Sequence, residues 1–276
     1  MAYQPGTEMG GNFVLVRRLG YGGMGQVYEA LDRALGRKVA IKIMSRGALS
    51  TSSARERFRQ EARALARINC PQIIQIYSLD LEFEPPFLVL EYVNGASLKE
   101  TLRERKRLPV ELSLQIGLEV VRGLRIAYDK GVIHRDINPR NIMLSFEGEV
   151  KIGDFGLAKS RVWDLSLTSD GAILGTPLYM SPEQWKSEPV DFRSDIYSLG
   201  ITLYHLITGS PPFDAESVAT VMLKHLSSPL PEATREQPGA TGELMKLLRR
   251  MTAKDPAHRY SSYSELQQDM QHLLTG

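Results

Sequence analysis

Alternating apolar and polar positions in the first third of the chain predict β-strands. Phe13 to Leu19, Gln26 to Asp32 and Lys38 to Met44 are rich in β-branched and aromatic residues, and glycine-containing turns separate them. Residues 72–79 and 87–93 have the same character. The simplest arrangement of these segments is a five-stranded antiparallel sheet.

The hydrophobic period changes between the third and fourth of these strands. In residues 53–68, Phe58, Glu61, Ala62 and Leu65 follow the i, i+3, i+4, i+7 spacing and share one helical face. This segment is therefore the main helix of the sheet region. A glutamate on that face is either at the surface or part of a buried ion pair, because an unpaired buried carboxylate is costly.

The chain is mostly helical after a turn at Val93 to Leu98. The predicted helices are Val110 to Lys130, Ser194 to Thr208, Ala215 to His225, Gly242 to Thr252 and Ser262 to Leu274. The first of these is apolar nearly all round and should be a core helix. The pattern predicts an α+β fold, with a small sheet lobe (13–92) and a larger helical lobe (93–276) forming one domain over 1–276.

Composition and charge argue against several classes of protein. A net charge of +2 over 276 residues gives no field that would select nucleic acid or a membrane surface. No apolar run is long enough to span a bilayer. The one cysteine, Cys70, excludes an internal disulfide and is expected to be a small buried residue, with a reactive thiol as the alternative.

Three glycines near the N-terminus, Gly20, Gly22 and Gly25, form a G-x-G-x-x-G motif. Dinucleotide-binding folds use the same spacing, but there the glycines open a helix, whereas here residues 26–32 continue as a strand. The alternatives are a plain hairpin turn and a flap whose backbone N–H groups approach phosphates. The number of glycines favours the flap.

A lysine lies on the third predicted strand, in the sequence VAIK. Alternation along the strand puts Ala40 and Lys42 on one face. Lys42 is either the polar side of a half-buried strand or a ligand of phosphate oxygens that Glu61 holds in place.

Beyond these motifs, the chain contains HRDINPRN (residues 134–141), VKIGDFG (150–156) and SPE (181–183). The ordered set resembles the protein kinase family from Leu19 to Arg259. LGYGGMGQVY and GTPLYMSPEQ are most similar to Hanks-type bacterial serine/threonine kinases. The resemblance implies a bilobal fold and transfer of the γ-phosphate of ATP to protein hydroxyl groups.

The resemblance implies a role for each matching residue. Lys42 would contact the α and β phosphates and pair with Glu61, and Asp136 would accept the proton of the substrate hydroxyl. Asn141 and Asp154 would hold Mg²⁺, with Mn²⁺ as an alternative. The nucleotide-binding set is Leu19, Gly20, Gly22, Gly25, Val27, Ala40, Lys42, Leu90, Glu91, Val93 and Met143.

Other matching residues have implied structural or regulatory roles. In the family, His134 is structural and Phe155 packs against the helix that carries Glu61. Asp195 would brace the catalytic loop. Glu183 and Arg259 would form a buried ion pair.

One position departs from the family pattern. Asn138 stands where serine/threonine kinases usually carry a lysine that meets the γ-phosphate. Replacing a charged donor by a neutral one should cost about 1–2 kcal/mol, or about 5- to 30-fold in rate. Arg140 is in a position where tyrosine kinases carry arginine, so it either reaches the transferred phosphate or points outward.

The segment from Asp154 to Glu183 resembles an activation segment. Thr176 would pair with Asp136 and Asn138. Autophosphorylation is predicted at Thr168, where the phosphate would pair with Arg135.

Two functions of different class follow from these residues. The first is an active serine/threonine kinase that acts on protein substrates, including a second copy of itself in trans. The second is a nucleotide-binding pseudokinase scaffold, which Asn138 favours and the retained Lys42, Asp136 and Asp154 oppose. The expected location is cytoplasmic, with the possibility of a cytosolic domain of a longer membrane-anchored protein.

Overall fold

The computed structural model describes residues 3–22, 25–45, 47, 49–155, 177–233 and 241–275. These residues form two compact units, and the chain passes from the first to the second between Asn94 and Gly95. We call them the N-terminal and the C-terminal unit.

The N-terminal unit contains one antiparallel sheet in the order β1-β2-β3-β4-β6-β5. Its strands are β1 (Glu8–Met9), β2 (Phe13–Gly22), β3 (Gly25–Asp32), β4 (Arg37–Met44), β5 (Ile76–Asp80) and β6 (Phe87–Glu91). The described sheet has one strand more than predicted, because β1 pairs with the start of β2. A two-residue strand has no alternation by which the sequence could reveal it.

Side chains from alternate positions of this sheet form the core of the N-terminal unit. Tyr28, Val39, Ile41, Phe87 and Val89 belong to one buried cluster. Period-two spacing within each strand places these residues on the same face. The opposite face is therefore defined by the intervening residues.

The helix of the N-terminal unit is α1 (Ser52–Ala66). The Thr51 side chain accepts a hydrogen bond from the Ala54 N–H, which satisfies a free donor at the helix start. Phe58, Ala62 and Leu65 are buried, as the helical spacing predicts.

The C-terminal unit is mostly helical. Its helices are α2 (Leu98–Arg105), α3 (Val110–Asp129), α4 (Pro182–Trp185), α5 (Phe192–Thr208), α6 (Val218–Ser227), α7 (Gly242–Met251) and α8 (Tyr263–Thr275). Helix α3 packs against α5 and α8, which accounts for its apolar character on nearly every side. Helix α5 is capped at its C-terminus by Gly209, whose φ of 88° suits a residue without a side chain.

A small sheet in this unit was not predicted. Its strands are β7 (Gly95–Ser97), β8 (Ile142–Ser145) and β9 (Val150–Ile152), in that order. Three or four residues are too few for a recognisable alternation. The β8–β9 hairpin is the part of the fold that positions the candidate site described below.

Within the described ranges, no helix has both the length and the apolar character needed to cross a membrane.

Candidate active site

The β8–β9 hairpin brings together the two residues predicted to bind metal. Asn141 immediately precedes β8 and Asp154 follows β9 by two residues. Ile142 is paired with Ile152, and the Gly153 N–H donates to the Asn141 carbonyl oxygen at 2.8 Å. Both side chains therefore start from the same end of one hairpin.

The loop before β8 carries Asp136 and is tied together by amide side chains. Asn141 Nδ2 donates to the Asp136 carbonyl oxygen at 2.8 Å and to its Oδ2 at 3.0 Å. Asn138 Nδ2 donates to the same carbonyl oxygen at 2.9 Å. The Asp136 carboxylate is thus held in a defined orientation, as a catalytic base requires.

Asn138 itself is buried, with 3% of its surface exposed. Its Oδ1 accepts a hydrogen bond from the Arg140 N–H at 2.9 Å. Both ends of the amide are therefore bonded to the loop backbone. The sequence predicts an Asn138 that donates to phosphate, whereas its amide bridges Asp136 and Arg140 in the structure.

Asp195 at the start of α5 anchors the other end of the loop. Its two carboxylate oxygens accept hydrogen bonds from the His134 N–H at 2.8 Å and the Arg135 N–H at 2.7 Å. Burial raises the pKa of Asp195 to about 7, although the two backbone donors favour its charged form. Arg135 has a φ of 64°, and its side chain is exposed.

His134 is fully buried beneath the loop. Its Nδ1 accepts a hydrogen bond from the Asp136 N–H at 3.2 Å, so the proton lies on Nε2, which is 3.0 Å from the Gly153 carbonyl oxygen. The Phe155 ring packs against the imidazole with centroids 4.4 Å apart. His134 thus links the loop of Asp136 to the residues around Asp154.

Glu183 and Arg259 form a bidentate ion pair in the C-terminal unit. The two hydrogen bonds are 2.6 and 2.8 Å long, and both side chains are almost completely buried. Burial alone would raise the pKa of Glu183, but hydrogen bonds from Arg259 and Ser194 hold it below its usual value. Gln184, next to Glu183, donates to the Arg135 carbonyl oxygen at 2.9 Å and so connects this region to the loop.

In the N-terminal unit, four predicted nucleotide ligands share one face of the sheet. Val27 is paired with Lys42, and Ala40 is paired with Leu90. Lys42 is 5% exposed, so it is not the polar side of a half-buried strand. Leu88 lies opposite Lys42 on the same face, and the two-residue spacing from Leu90 could have identified it.

The glycine motif forms the tip of the β2–β3 hairpin. Gly22 is paired with Gly25 at its end, and residues 23 and 24 lie outside the described ranges. Gly25 has a φ of 144°, and a Cβ atom there would lie 1.9 Å from the Ile43 carbonyl oxygen. A Cβ at Gly20 or Gly22 would meet no atom within 4 Å, so local packing does not explain these two glycines.

Glu61 lies on α1 with its side chain exposed. Of the two alternatives for this glutamate, the buried carboxylate is wrong and the surface position is confirmed. Its position between Phe58 and Leu65 is at the edge of the buried stripe. Lys42 and Glu61 belong to the same unit, and their pairing stays a prediction.

The remaining predicted ligands lie on strands or just beyond them. Leu19 is near the tip of β2, and Glu91 ends β6, where its carboxylate accepts from the Gln75 N–H at 3.1 Å. Val93 is buried, and Met143 on β8 pairs with Ser97 and Lys151. Thr168 and Thr176 lie outside the described residues.

Asn141 and Asp154 offer the donor chemistry that Mg²⁺ prefers. Asn141 uses its amide nitrogen for Asp136, so the other end of its amide is a carbonyl oxygen. Carboxylate and amide oxygens are hard ligands for a hard cation. Among the described side chains, no group of three His, Cys, Asp or Glu residues is placed to hold a metal ion.

Comparison with known proteins identifies the family. The protein kinase domain family matches residues 13–273, so this chain belongs to the protein kinase family. Members of this family use ATP and a divalent metal and act on proteins.

The curated relatives are bacterial serine/threonine-protein kinases. PrkC of Bacillus subtilis is 36% identical over 96% of this chain and 41% of its own length. PknB of Mycobacterium leprae is 36% identical over 94% of this chain and 42% of its own length. The chain thus spans about two fifths of these relatives. The PknI kinase domain of Mycobacterium tuberculosis, a crystal structure, is 28% identical, with a TM-score of 0.78 and coverage of 99% of both chains.

Proposed function

We propose that this chain is an active kinase domain, which transfers the γ-phosphate of MgATP to serine and threonine hydroxyls of proteins. The observation that carries the proposal is the set of hydrogen bonds that fixes the loop of Asp136. Asn138 and Asn141 both donate to its backbone, Asn141 also donates to its carboxylate, and Asp195 anchors its start. These hydrogen bonds support the proposal that Asp136 is a catalytic base with a fixed position.

In the proposed reaction, the Asp136 carboxylate orients the substrate hydroxyl and accepts its proton. The hydroxyl oxygen forms a bond to the γ-phosphorus while the bond from that phosphorus to the β–γ bridging oxygen breaks, so ADP leaves. Lys42 would contact the α and β phosphates and be supported by Glu61. Leu19, Val27, Ala40, Leu90 and Met143 would surround the adenine, and Glu91 and Val93 would bond it through their backbone.

Asn141 and Asp154 are the proposed ligands of Mg²⁺, with Mn²⁺ as a substitute. When bound, the ion neutralises charge on the phosphate oxygens. The chain's own contribution would be to place two oxygen donors for the ion at one end of the β8–β9 hairpin.

Phosphorylation of the activation segment is the proposed regulation. Arg135 supports it, because its side chain is exposed while its backbone is fixed by Asp195. A phosphate on Thr168 would pair with this guanidinium. We propose that a second copy of the chain phosphorylates Thr168 in trans, and that the domain acts in the cytoplasm on protein rather than nucleic acid or membrane.

The test is transfer of labelled γ-phosphate from MgATP to the chain itself and to mixed protein substrates. Wild type and Asp154→Ala should bind nucleotide, and transfer should occur with wild type alone. Nucleotide binding without transfer by wild type would support the pseudokinase alternative.

A further inference from the structure

Three cationic side chains lie beside the catalytic loop: Lys99 and Arg103 on α2, and Arg140 on the loop itself. The Lys99 N–H donates to the Pro139 carbonyl oxygen at 2.8 Å, which joins the start of α2 to the residue before Arg140. Lys99 and Arg103 are four residues apart, so they occupy the same face of α2 on successive turns. Both side chains are exposed.

Arg140 and Arg103 are both close enough to Lys99 to affect its charge. Partial burial lowers the pKa of Lys99, repulsion from Arg140 and then Arg103 lowers it further, and the weaker attraction of Glu100 opposes the shift. The positive charge of Arg140 also opposes the rise that burial causes in the pKa of the Tyr179 phenol, and Tyr179 belongs to the turn Pro177–Tyr179, near the C-terminal end of the segment from Asp154 to Glu183. Arg140 is therefore within electrostatic reach of both Lys99 on α2 and Tyr179 in that turn.

Carboxylates of the described residues do not neutralise this cluster. None of the three cations forms an ion pair with another described residue. Glu100 adjoins Lys99, but its carboxylate accepts hydrogen bonds from the Ser97 N–H at 2.9 Å and Oγ at 2.8 Å as part of the helix cap. Asp214 raises the pKa of the Tyr179 phenol, but it is not among the charges that act on Lys99. The group keeps a net positive charge.

Placing like charges together is unfavourable unless an anionic partner compensates. Elsewhere in the chain, exposed arginines commonly meet carboxylates, as Arg33 meets Glu8 and Arg59 meets Glu56. An uncompensated cluster joined by backbone to the loop of Asp136 suits a ligand that is itself acidic and that enters the active site.

We propose that Lys99, Arg103 and Arg140 select protein substrates with acidic residues next to the phosphorylated serine or threonine. This inference rests on the proposed kinase function and names its substrate class. Electrostatic complementarity of this kind discriminates between partners and speeds their encounter.

The test compares peptides that share one central serine and differ in flanking glutamate, glutamine or lysine. Wild type should favour the glutamate over the lysine peptide by about tenfold in kcat/KM, since each exposed ion pair contributes a modest factor. The preference should weaken as ionic strength rises. Equal kcat/KM for all three peptides would overturn the proposal and leave the kinase function intact.

Charge-reversal variants provide the matched control. Lys99→Glu combined with Arg103→Glu should abolish or invert the preference. Arg105→Glu changes the same charge on the same helix, but its position is 200° around α2 from Arg103, so the preference should remain. Loss of the preference in the Arg105 variant would show that net charge alone is responsible and would contradict the assignment.

Binding keeps the test independent of catalysis. Fluorescence anisotropy of the same peptides, with alanine in place of the serine, should show tighter binding of the glutamate peptide and its loss in the Lys99 and Arg103 variant. Equal binding of the glutamate and lysine peptides would reject the proposal even if no phosphate transfer were seen. If single-stranded DNA displaced the glutamate peptide as effectively as an unlabelled copy of that peptide, the preference for acidic protein would be rejected.

Discussion

The Asn138 amide nitrogen donates a hydrogen bond of 2.9 Å to the carbonyl oxygen of Asp136. At the other end of the amide, Oδ1 accepts from the Arg140 N–H. A lysine at position 138 could supply a donor but no acceptor. Asn138 therefore supports the catalytic loop itself, in a position where the family usually has a cation for the phosphate.

This geometry changes the expectation for Asn138→Lys. The sequence alone predicts a gain of about 5- to 30-fold from the restored charge. Because the variant also leaves the Arg140 N–H without its acceptor, we expect the gain in kcat to be about sixfold or less, since the lost hydrogen bond offsets about 1 kcal/mol, or about fivefold in rate. Steady-state phosphate transfer at saturating ATP measures the difference. A gain of the full size would show that the loop does not need the amide.

Arg140→Ala separates two roles for this guanidinium. The proximity of Arg140 to Lys99 leads us to expect a rise in KM for acidic peptides of about threefold, with kcat little changed, because one exposed ion pair would be lost. Initial rates over a range of peptide concentrations give both constants. A fall in kcat at saturating peptide would instead support contact with the transferred phosphate.

Glu183→Ala should destabilise the fold without removing a reacting group. The substitution leaves the buried Arg259 guanidinium without its counter-charge, and we expect a loss of about 3–5 kcal/mol in the free energy of unfolding. Urea denaturation measures it. Glu188→Ala is the control, because its pair with Lys186 is half exposed and 3.9 Å long, and about 1 kcal/mol or less is expected. Similar losses in both variants would refute the structural role.

His225 should make stability depend on pH. It is buried and bonded to the Tyr197 hydroxyl, and burial, reinforced by Lys254, lowers its pKa to about 3. The unfolded chain, with a pKa near 6.5, binds the proton first on acidification, so stability falls as pH drops below about 6.5 towards 3. Between pH 7 and 5 the contribution is about 2 kcal/mol.

Urea midpoints at the two pH values test this effect in wild type and in His225→Asn, whose amide can still bond Tyr197. The pH dependence should shrink in His225→Asn and persist in His258→Asn, since His258 is exposed. An unchanged dependence in His225→Asn would assign the effect to other groups.

Autophosphorylation should appear at Thr168 after incubation with MgATP, and peptide mapping by mass spectrometry would locate it. Thr168→Ala and Arg135→Ala should both lower the activity of the incubated enzyme, because the phosphate and the guanidinium act as a pair. Absence of phosphate from Thr168 in active wild type would exclude this route of activation.

The sequence predicts long periodic helices and strands well. It predicts short strands and side-chain hydrogen bonds poorly. Helix α3 and strand β4 are within one residue of their predicted bounds, since hydrophobic spacing determines them. Strands β7 to β9 are too short to show a period. The burial of Lys42 depends on strands lying on both sides of β4, which local alternation cannot reveal.

The site shows the same division. The motifs indicate which residues have side chains suited to phosphate transfer. The structure adds the hydrogen bonds that position these side chains. That Asn138 turns back to Asp136 and Arg140 depends on the path of the loop, which residue type and spacing leave open. The contact between α2 and Pro139, likewise, joins segments 40 residues apart in the chain.

The most direct test of the account is the rate of γ-phosphate transfer by wild type and Asn138→Ala, with Asp154→Ala as the inactive reference. Wild type should transfer phosphate, and Asn138→Ala should be about 10- to 100-fold slower, because two loop hydrogen bonds worth about 1 kcal/mol or more each are lost. Transfer by wild type no faster than by Asp154→Ala, or equal rates for wild type and Asn138→Ala, would contradict an active kinase whose catalytic loop is held by Asn138.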